Sequence, residues 1–171
     1  MFQRLARAGT VLALFVVLIG AWVRLTDAGL GCPDWPGCYG QLFLTDNAAE
    51  QARLAAAFPD RPLDVDKAWR EMLHRYLATI LGFICLLLVI VAWLNRGDPK
   101  QPKRMPFLLL GVVIFQGLLG MWTVTLLLKP IIVMGHLLGG MTTLGLLSWL
   151  SRWRRRPVNA IATSATQGLV A

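Results

Sequence analysis

Charge is missing from four long stretches of this 171-residue chain. Residues 8–23, 76–94, 105–128 and 130–150 contain no Asp, Glu, Lys or Arg. That absence excludes a soluble domain, because a chain that is 56% hydrophobic has too little polar surface to cover one of this size. Acidic residues are few, nine in all, and eight of them lie between Asp27 and Glu71. The basic excess, a net charge of +8, is split among three sites, which argues against a nucleic-acid surface. Histidine occurs twice and cysteine three times. Cys32 and Cys38 have no histidine or third cysteine in their loop, which sets a structural or redox disulfide ahead of a metal site. Cys85 lies in an apolar run and reads as core.

What the chain does have is four apolar runs of spanning length. A helix needs about 17 to 25 apolar residues to cross the hydrocarbon core. Lipid cannot satisfy a free backbone amide, so each run must be helical. The expected fold is an all-α integral membrane protein, a four-transmembrane-helix bundle with a structured outer loop between helices 1 and 2. The bundle covers residues 1–157, with spans at about 8–24, 73–94, 105–128 and 130–151. Arg4 and Arg7 ahead of the first run look like the start of a signal peptide. The run is long for one, however, and Trp22, Val23 and Arg24 make a poor cleavage site, so a retained anchor is expected. Residues 158–171 are too short to span and read as a tail or as the start of a fifth helix.

Charge also sets the expected topology. Lys and Arg gather at the amino terminus, at Arg96, Lys100, Lys103 and Arg104, and at Arg152, Arg154, Arg155 and Arg156. Residues 25–71 hold eight acidic residues against four basic ones. The positive-inside rule then places the amino terminus and the tail in the cytoplasm, in a bacterial-type inner membrane, with attraction to anionic lipid. The outer connection begins with "GLGCPDWPGCYG", a Gly- and Pro-rich turn region. Residues 47–58 follow as a short surface helix behind an Asp46 cap. Trp35, Tyr39 and Trp69 are expected at the membrane interface.

The chemistry-bearing residues cluster around the two histidines. His74 lies about one turn inside the outer end of the second span, and His136 lies six residues after Pro130. Both spans run inward, so both imidazoles are expected in the outer half of the bilayer at similar depth. That placement suits two axial ligands on one heme iron. Ionisable groups inside a membrane are rare without a task. Small residues flank them: Gly139, Gly140 and Thr143 beside His136, Ala78, Gly82 and Cys85 below His74, with Gly117 and Gly120 on the third span. Such residues serve either close helix contact or a flat macrocycle. Glu71 has two readings, a helix-end carboxylate paired with Arg75 or a proton-transfer group beside a bound ring. Arg24 and Arg75 are either snorkelling side chains or partners for heme propionates.

Four blocks, "RLTDAGLGCPDWPGCYG", "EMLHRYLA", "FQGLLGMWTVTL" and "GHLLGG", resemble in this order the amino-terminal half of the heme A synthase family. The resemblance covers most of residues 20–145. It implies oxidation of a heme O ring methyl to a formyl group by successive hydroxylations, with heme O as substrate. It implies that His74 and His136 form the substrate-side histidine pair, that Glu71 is the motif carboxylate, and that Cys32 and Cys38 are the outer-loop pair. Members of that family have two four-helix bundles, the second with its own histidines and a heme B cofactor. This chain carries one bundle and one pair, and "ATQGLVA" looks like the opening of a fifth helix, so a truncated or natural half-length member is expected. Such a half calls for a second copy or a second-half subunit, with heme O synthase or a terminal oxidase as assembly contacts. The alternative reading is a four-helix heme protein for binding or electron transfer without ring oxidation. A quinone-coupled disulfide oxidoreductase ranks last, because residues 125–131 hold no second cysteine pair.

Overall fold

The computed structural model describes residues 1–44, 47–61 and 63–153. It contains five helices: α1 (Phe2–Leu25), α2 (Ala48–Ala57), α3 (Val65–Leu94), α4 (Met105–Thr125) and α5 (Pro130–Ser151). All but α2 are long and apolar enough to cross a membrane. The shortest of these, α4 with 21 residues, is about 32 Å long at 1.5 Å per residue, matching a hydrocarbon core of about 30 Å. The protein is an all-α, multi-pass membrane bundle.

The helix ends differ from the expected spans for identifiable reasons. α1 begins at Phe2 rather than near residue 8, and α3 at Val65 rather than near 73. Charged first turns cost nothing outside the hydrocarbon, so these helices run on into the polar boundary. Asp64 caps α3 by accepting from the Lys67 amide at 3.1 Å. α4 stops at Thr125 rather than 128, because Leu127 and Leu128 adopt left-handed conformations that turn the chain toward Pro130, the first residue of α5. The cap of α2 is Asn47, whose side chain accepts from the Ala49 and Glu50 amides. Asp46, the cap expected from the sequence, lies outside the described residues, as do the tail at 158–171 and the three arginines at 154–156.

The four long helices form a closed ring. α1 packs on α3 and α5, and α4 packs on α5 and α3, while α3 and α5 oppose each other across the centre. The main core joins Ala6 and Ala13 of α1, Leu81, Cys85 and Leu88 of α3, Leu109 of α4, and Leu147 and Leu150 of α5. Large apolar side chains such as Phe15, Leu18, Phe83 and Ile114 point outward, as lipid-facing residues do.

The connection between α1 and α3 folds over the loop end of the bundle around a second, smaller core of Cys32, Cys38, Tyr39, Leu44, Leu54, Ala68 and Met72. Cys32 and Cys38 are joined by a disulfide. Asp34 shapes the turn by accepting from the Tyr39 and Gly40 amides at 2.7 and 2.8 Å. Tyr39 is held in this core: it is 3% exposed and packs edge-on against Phe58, and its burial pushes the phenol above its ordinary pKa. The loop lies so close to α3 that a Cβ at position 31 would stand 2.6 Å from the Lys67 carbonyl carbon and 2.7 Å from the Ala68 nitrogen. Gly31→Ala is therefore expected to cost about 1–3 kcal/mol in thermal unfolding in detergent. Gly145→Ala, whose methyl group meets open space, should leave the midpoint unchanged or slightly raised. Equal midpoints for both variants would disprove the close approach.

Candidate functional site

His74 of α3 and His136 of α5 reach the centre of the ring from opposite sides. Their ring centroids are 6.3 Å apart, with planes at 80°. Both Nδ1 atoms are buried without a hydrogen-bond partner. The pair is flanked by α1 on one side and α4 on the other. The two flanking helices make room with glycine. A Cβ at position 20 would stand 2.8 Å from His74 Cε1, and one at position 120 would stand 3.4 Å from His136 Cε1.

Two unpartnered imidazole nitrogens in an apolar interior cost about 1–3 kcal/mol each unless something binds them. Metal–imidazole bonds of about 2 Å on opposite sides of one ion would put the ring centroids about 6 Å apart, close to the spacing seen. Among the described residues, no group of three or more His, Cys, Asp or Glu could hold a metal ion. The donor set therefore suits a metal that brings its own equatorial ligands, as the iron of a heme does.

One turn toward the loop from His74, Glu71 is 5% exposed and accepts from the Cys32 amide at 3.0 Å through Oε2. Its Oε1 pairs with Arg75, one turn further along α3. Arg75 also donates to the carbonyls of Asp34 at 3.0 Å, Pro36 at 3.2 Å and Gly37. The disulfide loop is thus fastened to α3 directly above the histidines.

The COX15-CtaA family model, described as "Cytochrome oxidase assembly protein", matches residues 3–170. This chain belongs to that family. Among its relatives, the heme A synthase of Shewanella oneidensis is 46% identical over 95% of this chain and 48% of its own length. Those of Halalkalibacterium halodurans and Rhizobium meliloti are each 31% identical, over 70% and 69% of this chain and 36% and 35% of their own lengths. The chain thus spans about half the length of the Shewanella relative, and less of the other two.

In this family member the structure brings His74, His136, Glu71, Arg75, Cys32 and Cys38 to one end of the bundle. Arg24 stands exposed in the last turn of α1 and is not part of the Glu71–Arg75 cluster. Arg75 pairs with Glu71 as the i,i+4 spacing suggested, and it also has loop carbonyls as partners, which the sequence did not suggest. Gly120 faces His136, but Gly117 is exposed and does not continue that face. Sequence reasoning passed over three residues. Gly20 touches His74. Asp34 organises the loop turn. Gln116 presses its amide against Gly139, with Nε2 buried and unpartnered. A lone glutamine between Phe115 and Gly117, within an uncharged span, was the signal available for the last of these.

The buried ion pair makes an energetic prediction. Arg75→Met leaves the Glu71 carboxylate buried beside a single donor and is expected to cost about 3–5 kcal/mol. Adding Glu71→Gln removes the stranded charge and should recover part of that loss in the same thermal or denaturant melt. A double variant no more stable than Arg75→Met would mean that charge is not the source of the cost.

Proposed function

We propose that this chain is the substrate-heme-binding half of a heme A synthase-type oxidoreductase, taking heme O and serving conversion of a ring methyl to a formyl group. The observation that carries the reading is the His74–His136 pair, spaced for one metal, with both Nδ1 atoms buried and unsatisfied. The family relationship and the relatives named heme A synthase support the choice of reaction.

His74 and His136 would hold the iron, and the apolar walls of α1 and α4 would exclude water from it. The bound heme supplies the iron and the methyl group that is oxidised. Glu71 stands one turn from His74, held by Cys32 and Arg75, where a fixed carboxylate can accept a proton or offset developing positive charge near the ring edge. Arg24, exposed at the same end, is the guanidinium open to a propionate. The oxidant and oxygen source come from outside the chain. The basic residues at the opposite end orient that end toward the cytoplasm of a bacterial-type inner membrane. A second bundle, from another copy of this chain or a separate subunit, provides the heme B site.

A second reading, heme binding or electron transfer without ring oxidation, is favoured by one observation: both Glu71 oxygens already have partners.

Heme extraction from cells that express this chain together with a heme O source, followed by mass analysis, separates the two. Formyl-bearing heme supports the oxidoreductase, and unmodified heme alone supports the binding protein. The purified chain should show a low-spin heme spectrum that His136→Ala abolishes. Retention of the same spectrum and heme content by that variant would refute bis-histidine ligation. Glu71→Gln, which keeps the size of the side chain and its acceptor for the Cys32 amide, should bind heme normally and yield no formyl product. Undiminished product from it would reduce Glu71 to a clamp on the loop.

A further inference from the structure

At the end of the bundle opposite the histidines lies a cavity of about 180 Å³, far above the ~15 Å³ that a single water requires. Its wall is built from three parts of the chain: Arg4 and Arg7 from the first two turns of α1, Lys100 and Gln101 from the α3–α4 connection, and Trp153 just past α5. Cross-links hold these parts in place. Gln3 donates through Nε2 to the Trp153 carbonyl at 2.7 Å, and the Trp153 indole donates to the Lys100 carbonyl at 3.1 Å.

Basic residues at this end are expected from topology alone, so they do not define a site. Gln101 does. It is 8% exposed, it lines the same cavity, and its amide nitrogen is buried without a hydrogen-bond partner. A buried amide donor needs an acceptor, and with three cations lining the same cavity an anionic one fits best. Among the described residues, no acidic side chain lines the cavity. Asp98, the nearest acid in sequence, turns back to accept from the Lys100 amide at 2.8 Å.

We propose that this cavity binds a phosphate oxyanion, with Gln101 Nε2 and the Arg4, Arg7 and Lys100 side chains as its donors. Guanidinium forks match phosphate oxygens in geometry and charge. The cavity opens at a helix-bundle end where lipid headgroups lie, so the source that fits is the phosphodiester of an anionic phospholipid. The site is independent of the histidine pair, and so is its test.

The full chain, purified in neutral detergent, is titrated in parallel with phosphatidylglycerol, phosphatidylcholine and inorganic phosphate, with bound species read by native mass spectrometry. Phosphatidylglycerol is expected to be retained over phosphatidylcholine. Gln101→Leu and the Arg4→Gln/Arg7→Gln pair are each expected to weaken that retention about tenfold, the worth of a hydrogen bond to a charged group. Lys103→Gln removes a charge from the same connection but off the cavity, and it should change nothing. Inorganic phosphate retained with the same dependence on Gln101 and Arg4/Arg7 supports the site and assigns it to a soluble phosphate. The proposal falls if Gln101→Leu retains both anions as the parent does, if phosphatidylcholine binds equally well, or if Lys103→Gln is as damaging as the cavity variants. Circular dichroism on each variant confirms that helix content is kept, so that loss of binding reads on the site.

Discussion

The buried pair of Glu71 and Arg75 is the constraint on which the loop end of this protein rests. Either charge alone would be costly to bury at the mouth of an apolar bundle. Here each has additional partners, the Cys32 amide for Glu71 and the loop carbonyls of Asp34, Pro36 and Gly37 for Arg75. Because both residues lie on one face of α3, four apart, the loop's position is set by the helix itself. His74 sits between them in sequence, three residues after Glu71, and so its distance from the loop is set by the same helical geometry. A disturbance of the disulfide turn would reach the carboxylate through a single hydrogen bond.

Below that clamp, the bundle meets a requirement particular to lipid. Apolar side chains gain nothing by leaving lipid for a protein core, so helices associate where small residues allow close packing. Ala6 and Ala13 do this for α1 in the lower core, and Gly20 continues the same helix up to His74. The backbones of α3 and α5 do not approach each other closely, yet their histidines meet across the centre, with α1 and α4 on either side. The unsatisfied nitrogens lie where α3 and α5 face each other through their histidines. Unpaired polar atoms gathered at one point of an apolar interior are what a ligand would satisfy.

The four spans were legible because lack of charge over about 20 residues has one physical solution in a membrane. Their ends were less so, since helices such as α3 continue through charged turns that hydropathy treats as loop. The histidine pair was legible from its depth, which follows from counting residues inward from Pro130. The loop partners of Arg75 were not, because backbone carbonyls carry no sequence signature and depend on the path of residues 34–37. The face of α4 was misjudged for a simpler reason. Gln116 and Gly120, four apart, share the face toward α5, whereas Gly117 is rotated out of it. A stripe drawn by glycine alone therefore missed the glutamine on that face.

Whether a fully partnered carboxylate can take part in chemistry turns on its remaining capacity. An ionised carboxylate offers about four lone-pair positions, and the contacts from Cys32 and Arg75 each occupy one of its oxygens without exhausting it. Those contacts come from the loop and from the next turn of α3. They fix the plane of the group and leave room for a further donor. A carboxylate held in this way needs no reorganisation when charge develops nearby, and such preorganisation is the usual source of electrostatic stabilisation in enzyme sites. The contacts Glu71 already makes are therefore compatible with a working group as well as with a clamp, and the two roles draw on the same geometry. The disulfide turn that supplies the Cys32 amide would then set the carboxylate's orientation as well as close the bundle.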